Sequence, residues 1–511
     1  MRPTRYCSLS SITWAAALAG LLFSGVTGTP FEYNPVTIVS SATSLSHSSP
    51  AFGGIAAGTN ISAITYEVRT YTLITSSSTK TTNTSSTKGG TSTSTSTTTK
   101  SSSISTSTTT SKTSTSAGGS TIFNNSIAGK GTVLASVHER TLEESTSDIQ
   151  KLENHFGTSL ELNVNKLASS AAYYVMPWPS SYWAIYLDGI NYRWSSASEP
   201  SATEKYASAF GVDPDTLMTS VSQSTGVLSM SSSRTSCWTN WDCASLGDGS
   251  VCARRDGENQ GYCIPTWYGI CHAWSPAALL EPEPNCAVDY NGVTFQPMDI
   301  KALLSEIYDG AKVATVFTGA RFYGPDSDDS TDEYGRYSDE SRRDLGPGFM
   351  HVALSNIIGR FNASVIMDVT AGAEVWNQPI YSYQVVTQRE MTPSDAAGQY
   401  FGVSTYPFNG AAQRMMYTEM SVSWMVETFE DGGLVALGRA ANYENSKTYS
   451  YLLELDNDYN ILGGEWVGDS RSDHPDFLWF PKARPDLSTV TEVGLSYQNV
   501  RTLLDMATHC S

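Results

Sequence analysis

An α+β fold is predicted by three features of the sequence. Between Ser147 and Phe156 a capping serine precedes apolar residues at helical spacing. Tyr449–Leu455 and Ile461–Trp466 alternate in a β-like way around an Asp-Asn-Asp turn, the pattern of a hairpin. Val293–Gly310 reads as a strand followed by a helix. Roughly 375 residues follow Leu134, too many for one small core, so two or three subdomains are expected.

Residues 1–28 have the layout of a signal peptide: Arg2 and Arg5, an apolar run from Trp14 to Leu22, and a small-residue cleavage site at Val26-Thr-Gly28. No later stretch has 18 uninterrupted apolar residues, so no membrane span is expected and the protein is read as secreted, extracellular or cell-wall associated. Residues 29–135 are dominated by Ser, Thr and Gly, too polar to offset the entropy of ordering, and read as a disordered, glycosylated spacer. Asn60, Asn83 and Asn124 form N-glycosylation sequons near or within it, and Asn362 forms another further on. A mainly helical N-terminal subdomain is expected over 136–230, with Pro177–Trp183 as an aromatic packing unit. A disulfide-rich catalytic core follows over 231–400, and a β-rich C-terminal part over 401–511. The net charge of −19 argues against nucleic acid as a partner, because phosphate binding needs a basic surface.

Seven of the eight cysteines lie beyond the leader, an odd number for a chain in an oxidising compartment. Six can pair. Cys237, Cys243, Cys252 and Cys263 lack the close C-x₂₋₄-C pairs of structural zinc, so disulfides are expected, without assigned partners. Cys510 is expected to tie the terminus back to the body. Cys271 is the best leftover thiol, since the helical run Ser275–Leu280 follows it and free N–H groups at a helix start favour a thiolate. The alternative is that Cys271 is structural and another cysteine is free.

A cysteine nucleophile needs a base and a group to orient that base. His351 lies in Gly348–Leu354, read as a buried strand, and Asp368 interrupts the apolar strand Ser364–Val369. The order Cys271, His351, Asp368 is that of papain-like enzymes, which also follow their cysteine with a helix. A satisfied core histidine and a turn-capping aspartate are the plain alternatives. His474, in an acid-rich loop, is the reserve base; His272 diverges from its neighbour Cys271.

Val375-Trp-Asn-Gln-Pro379 with Ile380–Gln388 resembles the elicitor peptide of the secreted, calcium-dependent transglutaminases of plant-pathogenic oomycetes. Tyr262–Ala278, Asp188–Asn191, Phe317–Arg321, Gly463–Trp466 and His474–Trp479 extend the resemblance over about residues 145–511. It implies a papain-like core and an isopeptide-forming γ-glutamyltransferase, with Cys271, His351 and Asp368 at the triad positions. Protein substrates bearing glutamine and lysine, including cell-wall proteins, and a plant immune receptor are the implied partners. Calcium is the implied cofactor, and the acidic stretch Asp326–Glu333 offers Asp326, Asp328, Asp332 and Glu333 as ligands. That stretch starts like an EF-hand loop but has Thr331 in place of the glycine and Tyr337 in place of the closing glutamate; a solvated acidic turn is the alternative. Tyr381 and Gln384 stand where the elicitor peptide has basic residues, and Pro265 stands where papain-like enzymes carry the oxyanion glutamine, which leaves the second oxyanion donor unidentified. Trp267, Tyr268, Trp274 and Trp376 are candidates for a water screen around a thioester. A papain-like cysteine peptidase and a non-catalytic cell-wall protein are the competing functions.

Overall fold

The computed structural model describes residues 148–510, apart from Asp256, Pro325, Asp328, Asp329, Glu340 and Asp344, together with the backbone of two short N-terminal strands. The expected leader, nearly all of the spacer and the sequons at Asn60, Asn83 and Asn124 lie outside the described residues. The architecture is mixed helix and strand.

The two N-terminal strands are β1 (Glu32–Tyr33) and β2 (Val36–Ser40). Helix α1 (Asp148–Phe156) and strand β3 (Ser170–Ala172) are followed by α2 (Ala202–Phe210) and α3 (Pro214–Thr225). Local chemistry starts these last two helices: a capping box links Ser201 and Glu204, and Asp213 caps α3 with Pro214 in the first turn. Strands β4 (Ser236–Cys237), β5 (Ser250–Arg255) and β6 (Gly261–Pro265) join the first two in a sheet of order β1-β2-β5-β6-β4. Disulfides Cys237–Cys252 and Cys243–Cys263 staple this small sheet. Only glycine fits at Gly261, where a Cβ would sit 2.1 Å from the Ala253 carbonyl oxygen.

Next come α4 (Cys271–Leu280), the hairpin β7 (Val288–Tyr290) and β8 (Val293–Phe295), and α5 (Pro297–Gly310). They lead to β9 (Thr315–Gly319), α6 (Pro347–Leu354), β10 (Ile366–Asp368) and the long β11 (Asn377–Met391). Strands β12 (Arg414–Met425), β13 (Glu444–Leu455), β14 (Ile461–Trp466) and β15 (Phe477–Pro481) precede the last helix, α7 (Tyr497–Thr508). The large sheet runs β14-β13-β12-β11-β10-β15-β9, with β3 also on β11, and every pairing is antiparallel. The expected hairpin at 449–466 is present as β13 and β14, with Tyr451 opposite Trp466.

Alternation along the sheet separates two apolar cores. Met367, Leu478, Tyr451 and Leu453 pack with Phe349 and Met350 of α6 on one side. Ile366, Phe477 and Trp479 pack with Trp267, Tyr268 and Val375 on the other. A third core joins Trp178, Trp183 and Tyr206 to Trp274, Leu303 and Leu504, so it draws on all three expected segments of the folded part. The aromatic unit at 177–183 is a packing unit, as its composition suggested.

Gly348–Leu354 is helix, not strand. Its continuous apolar run carries no period to distinguish the two, and Pro347 in the first turn together with burial on every side favours α6.

Cys286 and Cys510 form the third disulfide, 224 residues apart in sequence. A loop that long gives a chain-entropy stabilisation of about 5 kcal/mol at most. Cys510→Ser is expected to lower the urea midpoint of unfolding while leaving the reactivity of Cys271 at the parental rate; an unchanged midpoint would show the bridge to be energetically idle.

Candidate active site

Cys271 is the free cysteine among the described residues, and it is the first residue of α4. The thiol is buried: its Sγ lies 3.7 Å from the Val375 carbonyl oxygen and 3.6 Å from Asn377 Nδ2. Helix α4 is seated on β11 by Ser275, one turn further on, whose Oγ donates to the Asn377 carbonyl oxygen at 2.5 Å. Burial pushes the thiol up to about 11, while the peptide N–H and the side-chain amide of Asn377 pull it back towards ionisation.

Asp368 ends β10 directly opposite Asn377 in the register. Its Oδ1 accepts the Trp376 N–H at 3.0 Å and the Thr370 hydroxyl at 3.0 Å, and its Oδ2 accepts no hydrogen bond. Burial raises its pKa to about 7 against the opposing pull of those donors and of Arg321. Glu427 is a second carboxylate, also raised to about 7 by desolvation, and its Oε1 accepts Gln378 Nε2 at 2.7 Å. Both carboxylates act electrostatically on Cys271.

Of the expected triad, Asp368 lies near enough to Cys271 to act on it electrostatically, and His351 is held elsewhere. His351 sits on α6 beneath the opposite face of the sheet, where its Nδ1 meets the Tyr451 hydroxyl at 2.8 Å. Burial lowers its pKa to about 4. The reserve, His474, is buried with both ring nitrogens on carbonyl oxygens, those of Ser470 and Arg342, and stacks on Trp466. His272 turns away to Asp309 at 2.8 Å.

The elicitor-like segment Val375–Pro379 lies over the thiol. Val375 and Asn377 touch Sγ, Trp376 packs edge-on against Tyr182, and Gln378 holds Glu427. Pro379 pairs with Ile366. The departures from the elicitor pattern fall farther along β11, on half-buried Tyr381 and exposed Gln384. Of the aromatics considered as a water screen, Trp267, Tyr268 and Trp274 are core residues and Trp376 is partly exposed.

The described carboxylates of the acidic loop make contacts within the protein. Asp332 spends both oxygens on its own chain: Oδ1 accepts the N–H groups of Tyr334 and Arg336, and Oδ2 accepts Arg336 Nε at 2.6 Å. Asp326 accepts the Ala373 N–H at 2.8 Å. Glu333 is exposed beside Tyr334, and Asp328 lies outside the described residues. Among the described residues, the one cluster of three metal-type ligands consists of disulfide sulfurs.

Sequence reasoning did not find the site roles of Glu427, Ser275, Trp479 or Asn377. Their positions follow from contacts between residues far apart in the chain, which no local pattern announces.

The chain belongs to the transglutaminase elicitor family, whose model matches residues 148–510. It is similar to the GP42 transglutaminase from Phytophthora sojae: that crystal structure superposes with a TM-score of 0.65 at 48% identity, over 72% of this chain and 99% of that one. No curated protein matches the sequence.

Two outcomes follow from this geometry. His351→Ala removes a buried hydrogen-bonded ring and is expected to destabilise the fold by about 2–4 kcal/mol while Cys271 alkylates at the parental rate in the folded protein; slowed alkylation would bring His351 into the site. Asp332→Ala removes one of the two carboxylates paired with Arg336 and is expected to lower the melting temperature; loss of the response of activity to added calcium in the folded variant would place the ion at this loop, and an unchanged response would place it elsewhere.

Proposed function

We propose that this chain is a secreted protein-glutamine γ-glutamyltransferase that forms isopeptide bonds between glutamine and lysine side chains. The observation that carries the reading is the pairing of one unbridged thiol at a helix start with a buried carboxyl raised to about 7. Family membership and similarity to a transglutaminase support the reaction class. A papain-like arrangement is part of the proposal, in that the nucleophilic helix packs on an antiparallel sheet.

In this reading the Cys271 proton passes to the Asp368 carboxylate as Sγ bonds to the glutamine carboxamide carbon. The carbonyl π pair moves to oxygen, and the free N–H groups at the start of α4 receive the charge. When the intermediate collapses, the carbon–nitrogen bond breaks and the amide nitrogen takes the proton from Asp368, leaving as ammonia. A neutral lysine amine then attacks the thioester, giving its proton to Asp368, and the thiolate leaves and is reprotonated. The net charge of −19 favours the approach of a cationic amine donor. Trp376 shields the thioester from water. Calcium remains the cofactor that the family resemblance implies, with Asp326, Asp332 and Glu333 as proposed ligands, and no step is routed through it. Elicitation of plant defence through Val375–Pro379, with cell-wall proteins as substrates and an exposed sequon at Asn362, completes the proposal.

Incubation with a glutamine peptide and hydroxylamine tests the reading. Hydroxamate is expected, and Cys271→Ala is expected to abolish it; backbone cleavage without hydroxamate would make the protein a peptidase. With Asp368 as the base, activity is expected to rise with pH through about 7, because the carboxylate must be ionised to accept the thiol proton. A profile flat from the usual carboxylate range to pH 8 would remove Asp368 from that role.

A further inference from the structure

The side-chain amide of Asn377 has a fixed orientation. Trp479 Nε1, which can only donate, meets Asn377 Oδ1 at 2.7 Å, so the other branch of the amide is the NH₂ group, and it faces Cys271 Sγ at 3.6 Å. The backbone of the same residue is held by Ser275. Asn377, Trp479 and Cys271 are all buried, so the amide is packed as well as bonded. Asn377 is thus clamped through both ends by the helix that carries the thiol and by β15.

We infer that Asn377 is a catalytic residue, the donor that the position of Pro265 leaves missing, and that Trp479 is its positioning residue. The inference rests on the transferase reading and deepens it. In the resting enzyme Nδ2–H donates to Sγ and favours the thiolate. As the S–C bond forms and the carbonyl π pair moves to oxygen, the same N–H group swings its hydrogen bond to the new oxyanion without losing its proton. The start of α4 supplies the other donors. A donor aimed where charge develops, and fixed before the reaction, stabilises the transition state more than the ground state.

The test uses the full chain and two readouts: the pH dependence of Cys271 alkylation by iodoacetamide, and kcat and KM for hydroxamate formation. Asn377→Ala is expected to move the alkylation profile to higher pH and to lower kcat on the order of 10²–10³-fold, with KM changed far less. Trp479→Phe keeps the ring packing and removes the N–H that orients the amide, so it is expected to shift both readouts in the same direction by less. It also serves if the alanine variant does not fold. Parental alkylation and kcat in either folded variant would overturn the inference. A shifted alkylation profile with parental kcat would remove the oxyanion role. A shifted profile in a protein whose parent forms no hydroxamate would leave the thiolate donor standing and sink the transferase reading instead.

Discussion

The seating of α4 on the first residue of β11 is the constraint on which the site depends. Ser275 fixes the helix to the Asn377 carbonyl, Asn377 addresses Cys271, and Asp368 sits opposite Asn377 across the β10–β11 ladder. The proposed donor and carboxylate are therefore placed by one backbone register, and the helix that carries the thiol is tied to it. A slip of one residue would turn every one of these side chains to the other face. Two bulges in β11, after Ile380 and after Val385, absorb its irregularity beyond this point, so the pairing that matters to the thiol is regular.

Burial sets the chemistry of the site more than charge does. Burial raises the thiol to about 11 and the Asp368 carboxyl to about 7, so the carboxyl ionises first, and once charged it holds the thiol in its neutral form. Their cost to the fold has a definite sign. Asp368, Glu427 and Glu454 are all raised to about 7, so between the ordinary carboxylate range and pH 7 the native state binds more protons than the unfolded chain. Their contribution to stability falls as pH rises through that window. His351 and His474, lowered to about 4, act oppositely, because the unfolded chain binds more protons up to the usual histidine range. The two sets therefore act with opposite sign across mildly acid pH.

Much of this was legible in the sequence where chemistry is local. Counting cysteines leads to Cys271, because an odd thiol in an oxidising compartment must go somewhere, and the helix after it is written in Ser275–Leu280. The 449–466 hairpin follows from alternation. His351 was misplaced because a run such as Gly-Phe-Met-His-Val-Ala-Leu looks the same in a buried strand and in a helix buried all round. Asn377 was legible only as part of a resemblance. Its partners Ser275 and Trp479 lie 102 residues away on either side, and Cys271 lies 106 away. Propensity does not reach that far.

The same geometry divides the elicitor-like segment and the strand that follows it into a constrained and an unconstrained part. Along β11 burial decreases from the start: Asn377 to Ile380 are buried, whereas Gln384, Val386 and Gln388 to Glu390 are exposed. The first residues are bound by contacts to the nucleophile, to Asp368 and to Glu427, and each of those contacts uses a different atom, so a substitution there disturbs the thiol, the carboxyl or the register. The later residues carry no such duty. Variation in this chain falls accordingly, with both departures from the elicitor pattern, Tyr381 and Gln384, beyond Ile380. On the proposed reading, substitution at the start of the segment would move atoms that hold Cys271 in place.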